Sequence, residues 1–260
     1  MSRYDSRTTM FSDEGRLMQV EYAMKAVSQA PPVLGIVAQD GIVIAAQKRI
    51  PKLFDQDRSG KICLLDQHLA AAVCGIIADA NYLVDEARLL CQEHRLHYNE
   101  PIGVERLVTQ IADTKQSVTQ YGGLRPYGVS FLIAGYDEKK KAYNLFQTDP
   151  SGNFSQWTAT SIGKSSADIN SRLKTFVRNL NAQLTVTDSK KFAVASLTKA
   201  VEKLDYNADN IEVVVIRYNE GQVSVEYVEN DEVNKLCNEV KDEDDDAFAE
   251  HQADEQSADE

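Results

Sequence analysis

Leu17, Val20, Met24 and Val27 recur at i, i+3, i+7 and i+10, which draws one apolar stripe along a helix over 16–28. Ser12 or Asp13 is placed to cap that helix, and Asp13 and Glu14 suit its positive end. Pro31 and Pro32 stop it. The stretch before it, Tyr4 to Met10, is polar and without periodicity, and reads as a mobile, strand-like tail. An amphipathic helix ahead of the first strand needs a surface to lie on.

Downstream the pattern changes to short apolar runs. Val33–Val37 and Ile42–Ala46 form a predicted hairpin about Gln39-Asp40-Gly41, where Asp-Gly tolerates positive φ. Ile62–Leu65 and Leu69–Cys74 form a second pair, ended by Gly75. Two helices are predicted next, over 78–98 and from Pro101 through the stripe Val104, Leu107, Val108, Ile111, Thr114, Val118. Strands are expected at 129–135, 142–147 and 154–162, with Asp149-Pro150-Ser151-Gly152 as a turn. Helices over 165–180 and 189–204, a hairpin about Asn219-Glu220-Gly221 and a helix over 229–240 complete the order. Strands, two helices, strands, two helices, strands is an α+β order that stacks two sheets between two helical layers.

The 260 residues, 43% of them apolar, suffice for one sizeable core. The expected organisation is a tail over 1–11, a single domain over 12–240 and an acidic segment over 241–260. That last segment holds ten acidic residues against one lysine and is expected to be disordered and solvated. The net charge of −12 argues against non-specific nucleic-acid binding. No apolar run approaches a bilayer span and no secretory signal is visible, so a soluble, intracellular protein is expected. Cys63, Cys74, Cys91 and Cys237 are widely spaced and read as reduced core residues.

Local motifs for other chemistry are incomplete. Gly163-Lys164-Ser165 ends like a phosphate loop, but Thr158 stands where its first glycine belongs. Cys91, His94 and His97 share a helix without a second ligand pair, and 242–246 lacks the spacing of a calcium loop. There is no G-x-S-x-G, so no serine triad is assignable.

Tyr4-Asp5, Phe11-Ser12, Gly15-Arg16 and Gln19-Val20-Glu21-Tyr22-Ala23, at their fixed mutual spacing, resemble the N-terminal signature of alpha-type subunits of the 20S proteasome. The resemblance extends to about Val240. It implies the four-layer αββα sandwich of N-terminal-nucleophile (Ntn) hydrolases, with an extra N-terminal helix. In the catalytic sister subunits a processed N-terminal threonine supplies both hydroxyl and base. The resemblance puts Pro31 at that position and Gln47 at that of its acidic partner, so intrinsic catalysis is not expected and no cofactor is implied.

It implies instead a structural and gating role in the cytoplasm and nucleus. The partners would be neighbouring alpha subunits, beta-ring subunits, and the C-terminal tails of regulatory ATPases or other activators, with no nucleic acid or membrane. Tyr4, Asp5 and Tyr22 match residues of an open-gate cluster, and Asp13 stands where the family usually has a turn proline. Lys61 matches the lysine of the activator-tail pocket, preceded here by Gly60 instead of the frequent Glu, and Gly75 to Asn81 match the turn opposite it. The competing reading is a self-standing Ntn-type hydrolase with an unrecognised nucleophile. A homo-oligomeric scaffold is a third.

Overall fold

The computed structural model describes residues 9–49, 53, 60–180, 184–199 and 208–240. Along them run α1 (Met18–Gln29), β1 (Val33–Val37), β2 (Ile42–Gln47), β3 (Ile62–Asp66), β4 (Leu69–Gly75), α2 (Ile77–Tyr98), α3 (Val104–Gln120) and β5 (Val129–Asp137). Then follow β6 (Ala142–Thr148), β7 (Phe154–Gln156), β8 (Ala159–Ile162), α4 (Ser166–Leu180), α5 (Val186–Lys199), β9 (Ile211–Asn219), β10 (Gln222–Tyr227) and a helix α6 over 230–240. One sheet has the order β10-β9-β2-β1-β8 and the other β3-β4-β5-β6-β7, all neighbours antiparallel.

The side-chain alternation of the strands assigns each layer. Ile42, Ile44 and Ala46 of β2 pack between the sheets with Ala70, Ala72, Leu132 and Ala134. Val43 and Ala45 face the other way, onto Ile169, Leu173, Val194 and Leu197 of α4 and α5. In the second sheet Ala71, Val73, Phe131 and Ile133 face Leu83, Ala87, Leu107 and Ile111 of α2 and α3. The central strands are therefore apolar on both faces, which is why they appear in the sequence as unbroken runs instead of alternating ones. Each such Leu or Ile, buried from water, stabilises the fold by about 1.5–3 kcal/mol.

Several expectations are corrected. α1 starts at Met18 with Leu17 at its N-cap and no side-chain cap. Ser12 instead accepts the Arg16 N–H (3.2 Å) inside a turn, so neither it nor Asp13 occupies the cap position. The α3 N-cap is Gly103, leaving Pro101 in the loop ahead of it. The 39–41 turn forms, yet neither Asp40 nor Gly41 has positive φ. Gly41 is needed for space, since a Cβ there would meet Ile216 O at 2.6 Å. Asp40 is used elsewhere: it accepts the Val186 N–H (2.8 Å) at the start of α5. Thr185 caps that start, its hydroxyl accepting the Asp188 N–H (3.2 Å) and donating to the Asp188 carboxylate (2.6 Å), which sets the helix three residues earlier than expected. The predicted end of that helix, over 200–204, lies outside the described residues.

The expected single strand over 154–162 is two strands in different sheets. β7 pairs with β6 and β8 pairs with β1. Between them Trp157 N–H donates to Leu145 O (2.9 Å) and Thr158 O accepts Val37 N–H (2.8 Å). The crossing is continuous in β-type residues, so propensity alone does not divide it.

Candidate functional site

The site residues converge where α1 hands over to β1. Pro31 and Pro32 hold the chain extended between helix and strand, and Pro32 O accepts the Gln47 N–H (2.9 Å). Gln47 ends β2 and is buried. Lys61 immediately precedes β3, and its carbonyl accepts the Val73 N–H (2.9 Å) of β4. Its side chain runs inward, 7% exposed, and Nζ donates to Pro31 O at 2.7 Å. An ordinary lysine at a strand start would point to solvent, and Lys61 does not. The positions assigned by resemblance to nucleophile, acidic partner and pocket lysine thus meet at one corner.

Two residues that sequence reasoning missed complete it. Cys74 Sγ lies 3.6 Å from Pro31 O and 3.7 Å from Val27 O, tying β4 to the end of α1. Glu212 of β9 reaches across from the other sheet, and its Oε2 accepts the N–H groups of Lys61 (2.8 Å) and Ile62 (3.2 Å). Its Oε1 stands 3.0 Å from where a Cβ at Gly60 would be, so a larger residue at 60 would have to displace the carboxylate. Glu212 is the lone charge in the run Ile211–Ile216, and that was the available signal.

The electrostatics follow from burial. Desolvation pushes the Lys61 ammonium down to about 8, against the opposing pull of Cys74 and Glu212. It pushes the Cys74 thiol up to about 11, so the sulfur stays protonated and neutral near pH 7. Burial also raises the Glu212 carboxyl, partly offset by the backbone donors it accepts. The carboxylate is directed at backbone N–H groups and the ammonium at a neutral carbonyl. Lys61 is therefore a desolvated cation whose one direct hydrogen-bond partner among the described residues carries no charge.

Two residues beyond Lys61's neighbour on β4, Gly75 turns the chain into α2. Its φ is 131° and a Cβ would meet Gly128 O at 2.2 Å, so no other residue fits this elbow unstrained. Ile76 N–H donates to Gly128 O (2.9 Å), and Asp79 Oδ2 accepts the Gly128 N–H (2.9 Å). Arg125 grips Asp79 through both nitrogens (2.6 and 2.7 Å) and holds its carboxyl below the usual carboxylate range. The Gly122–Gly128 loop is thereby fastened to the start of α2.

Of the expected gate cluster, Tyr4 and Asp5 lie outside the described residues. Asp13 sits in a β-turn over Ser12–Gly15, closed by Gly15 N–H to Ser12 O (2.9 Å) and extended by Ser12 N–H to Arg16 O (2.9 Å). Phe11 and Leu17 bridge as a minimal antiparallel pair around it. Ser at the first and Gly at the last turn position was a legible signal. Tyr22 and Met24 are exposed, as is Phe11, Met24 despite its place in the expected apolar stripe, while Val20 and Val27 are buried.

The discounted motifs have ordinary roles. Gly163 and Lys164 pack on the α1–β1 link, with Lys164 N–H donating to Ala30 O (2.8 Å). Cys91 is core, His94 packs its ring over Tyr98 at 4.6 Å, and His97 bonds the Glu93 carbonyl.

The layered sandwich, with a helix laid ahead of its first strand and this corner beneath it, defines a proteasome-type subunit. A family model described as proteasome subunit matches residues 27–216, and one describing the N-terminal signature of the proteasome A subunits matches residues 4–26. The chain belongs to the proteasome alpha-type subunits. It is 45% identical over 227 residues to the proteasome alpha type-4-2 subunit of Oryza sativa subsp. indica, covering 86% of this chain and 89% of that protein. Against the proteasome alpha type-4 subunit of Dictyostelium discoideum it is 47% identical over 214 residues, covering 81% and 84%. The type-4 subunit of Spinacia oleracea is 42% identical over 240 residues, covering 91% and 94%. No helix among the described residues is long and apolar enough to cross a membrane.

Proposed function

We propose that this subunit is a non-catalytic member of the alpha ring, resembling the one at its third position. It templates the ring, helps close the axial pore and docks regulatory particles for ATP- and ubiquitin-dependent degradation, in cytoplasm and nucleus. The observation that carries the reading is the corner at Pro31. A residue with neither hydroxyl nor primary amine stands at the position assigned to the nucleophile, and its carbonyl is engaged by Lys61. Hydrolysis by an N-terminal threonine needs both groups on that one residue.

Docking is supported by the charge of that corner. Lys61 is a desolvated cation with a neutral direct partner, and an incoming C-terminal carboxylate would replace the carbonyl by a charge-assisted bond. Gly75 supplies the opposite side. Tyr4, Asp5, Asp13 and Tyr22 form the open-gate cluster in this reading, with the hydrogen-bonded Ser12–Gly15 turn serving where the family uses proline. The partners are other alpha subunits, beta-ring subunits, and activator or ATPase tails, and ATP is consumed by the ATPases.

The test is deletion of residues 1–10 within the assembled particle. Basal hydrolysis of short peptides rises several-fold while the particle stays intact. Unchanged hydrolysis by an intact particle would remove the gate role from this tail.

A further inference from the structure

The outer helical layer carries a surface that the ring and gate reading does not use. α4 and α5 lie side by side on the first sheet, and Phe176 and Phe192 stack between them with centroids 3.9 Å apart. Both rings are only partly buried and pack on the core from outside. Two clefts meet at this pair. One, of about 470 Å³, runs past Arg172, Thr175 and Ala195 to Lys199. The other, of about 310 Å³, runs past Asp188, Lys191, Leu236 and Glu239 to Val240, so the unbalanced positive charge lies at the first cleft, on Arg172 and Lys199.

The α4–α5 pair is basic in an acidic chain, although α6 beside it sets Glu232 against Lys190 and Glu239 against Lys191. α4 and α5 carry Arg172, Lys174, Arg178, Lys190, Lys191 and Lys199 against Asp168 and Asp188, in a chain of net charge −12. Residue 240, the last of α6, lines the second cleft. The sequence beyond it is 241–260, with ten acidic residues, one lysine and a single aromatic, Phe248, set between Ala247 and Ala249. Phe248 is eight residue steps from Val240 and reaches up to about 26 Å from it when the chain is extended, ample for a cleft that begins at Val240 itself.

We infer that the α4–α5 face is the docking surface for this chain's own acidic segment, with Phe248 set against the Phe176–Phe192 pair. The acidic residues at 242–246 and Glu250 then lie along the cations at the rims of the two clefts. Burying one aromatic on a preformed apolar floor supplies the anchor. The surrounding charge supplies orientation and a dependence on salt. The assembled face would present acid outward in place of base.

Zero-length carbodiimide coupling on the assembled particle tests this, read by mass spectrometry. Lys191 already lies 3.3 Å from Glu239, so that pair is the internal control. The expected result is amide cross-links from Lys191 or Lys199 to an acidic residue between 242 and 250 of the same chain. Their yield falls in Phe248→Ala and at about 1 M salt, while the control is kept in Phe248→Ala. Coupling of those acids only to another subunit, only to lysines elsewhere on this chain, or to none, overturns the inference. So does finding the two lysines joined to Glu202 or Asp205 and never to 242–250.

Discussion

Two lysines are buried among the described residues, and their surroundings differ. Lys115 of α3 is fully enclosed. Its Nζ donates to Val129 O (3.0 Å) and Thr148 Oγ1 (2.7 Å) and lies 4.7 Å from the centroid of the Phe131 ring. It clamps a helix to two strands, and burial pushes it down to about 7, against the pull of Asp149. Lys61 keeps a little exposure, and among the described residues its ammonium makes one bond, to the Pro31 carbonyl between α1 and β1. A cation enclosed by several acceptors holds structure in place. A cation held by one neutral acceptor at a junction is available to a better partner.

The comparison can be broken by substitution. Lys115→Ala removes the clamp, opens a cavity and strands two buried acceptors, and should cost about 3–5 kcal/mol in denaturant midpoints of the purified chain. Lys61→Met should cost only about 1 kcal/mol, the net worth of one hydrogen bond, yet abolish binding of an activator's C-terminal peptide at this subunit's pocket in the particle. Equal destabilisation by both would make Lys61 a second clamp. Retained peptide binding by Lys61→Met would remove it from the pocket.

The pH dependence sharpens the same contrast. Each lysine has a folded-state pKa below its unfolded value, so the unfolded chain binds more protons in the window between them and stability rises with pH there. For Lys115 the window opens near pH 7 and for Lys61 near pH 8, both closing near 10.5. Relative to Lys115→Met, the unsubstituted chain should gain stability from about pH 7 upward, and relative to Lys61→Met only from about pH 8. Urea midpoints at half-unit steps would separate the two. The smallest effect belongs to the elbow. Arg125 is 60% exposed, so Arg125→Ala should cost about 1 kcal/mol or less, measured by thermal midpoint above pH 5.

The layers were legible because hydrophobic runs and helical stripes report burial directly. Val33–Val37, Ile42–Ala46 and the α3 stripe all fall where their pattern puts them. Pairing partners were less so. The division of 154–162 between sheets depends on backbone groups of Leu145 and Val37, which leave no mark on the intervening residues. The corner was half legible: Pro31, Gln47, Lys61 and Gly75 came from the resemblance to the alpha-type subunits. Glu212 and Cys74 come from strands distant in sequence, and their role exists only after both sheets are stacked. The α1 cap failed because Ser12 found a nearer use in its own turn.

The stretch 154–162 also decides how the sandwich can come apart. Because one continuous segment is stitched first to one sheet and then to the other, that flank behaves as the spine of a book. Among the described residues the opposite flank is fastened by side chains, chiefly Tyr227 Oη–H to Ile62 O (2.8 Å) and the carboxylate of Glu212. Any partial opening of the subunit should therefore begin among the side chains and swing about the spine, exposing the corner at Lys61 first and the β7–β8 crossing last.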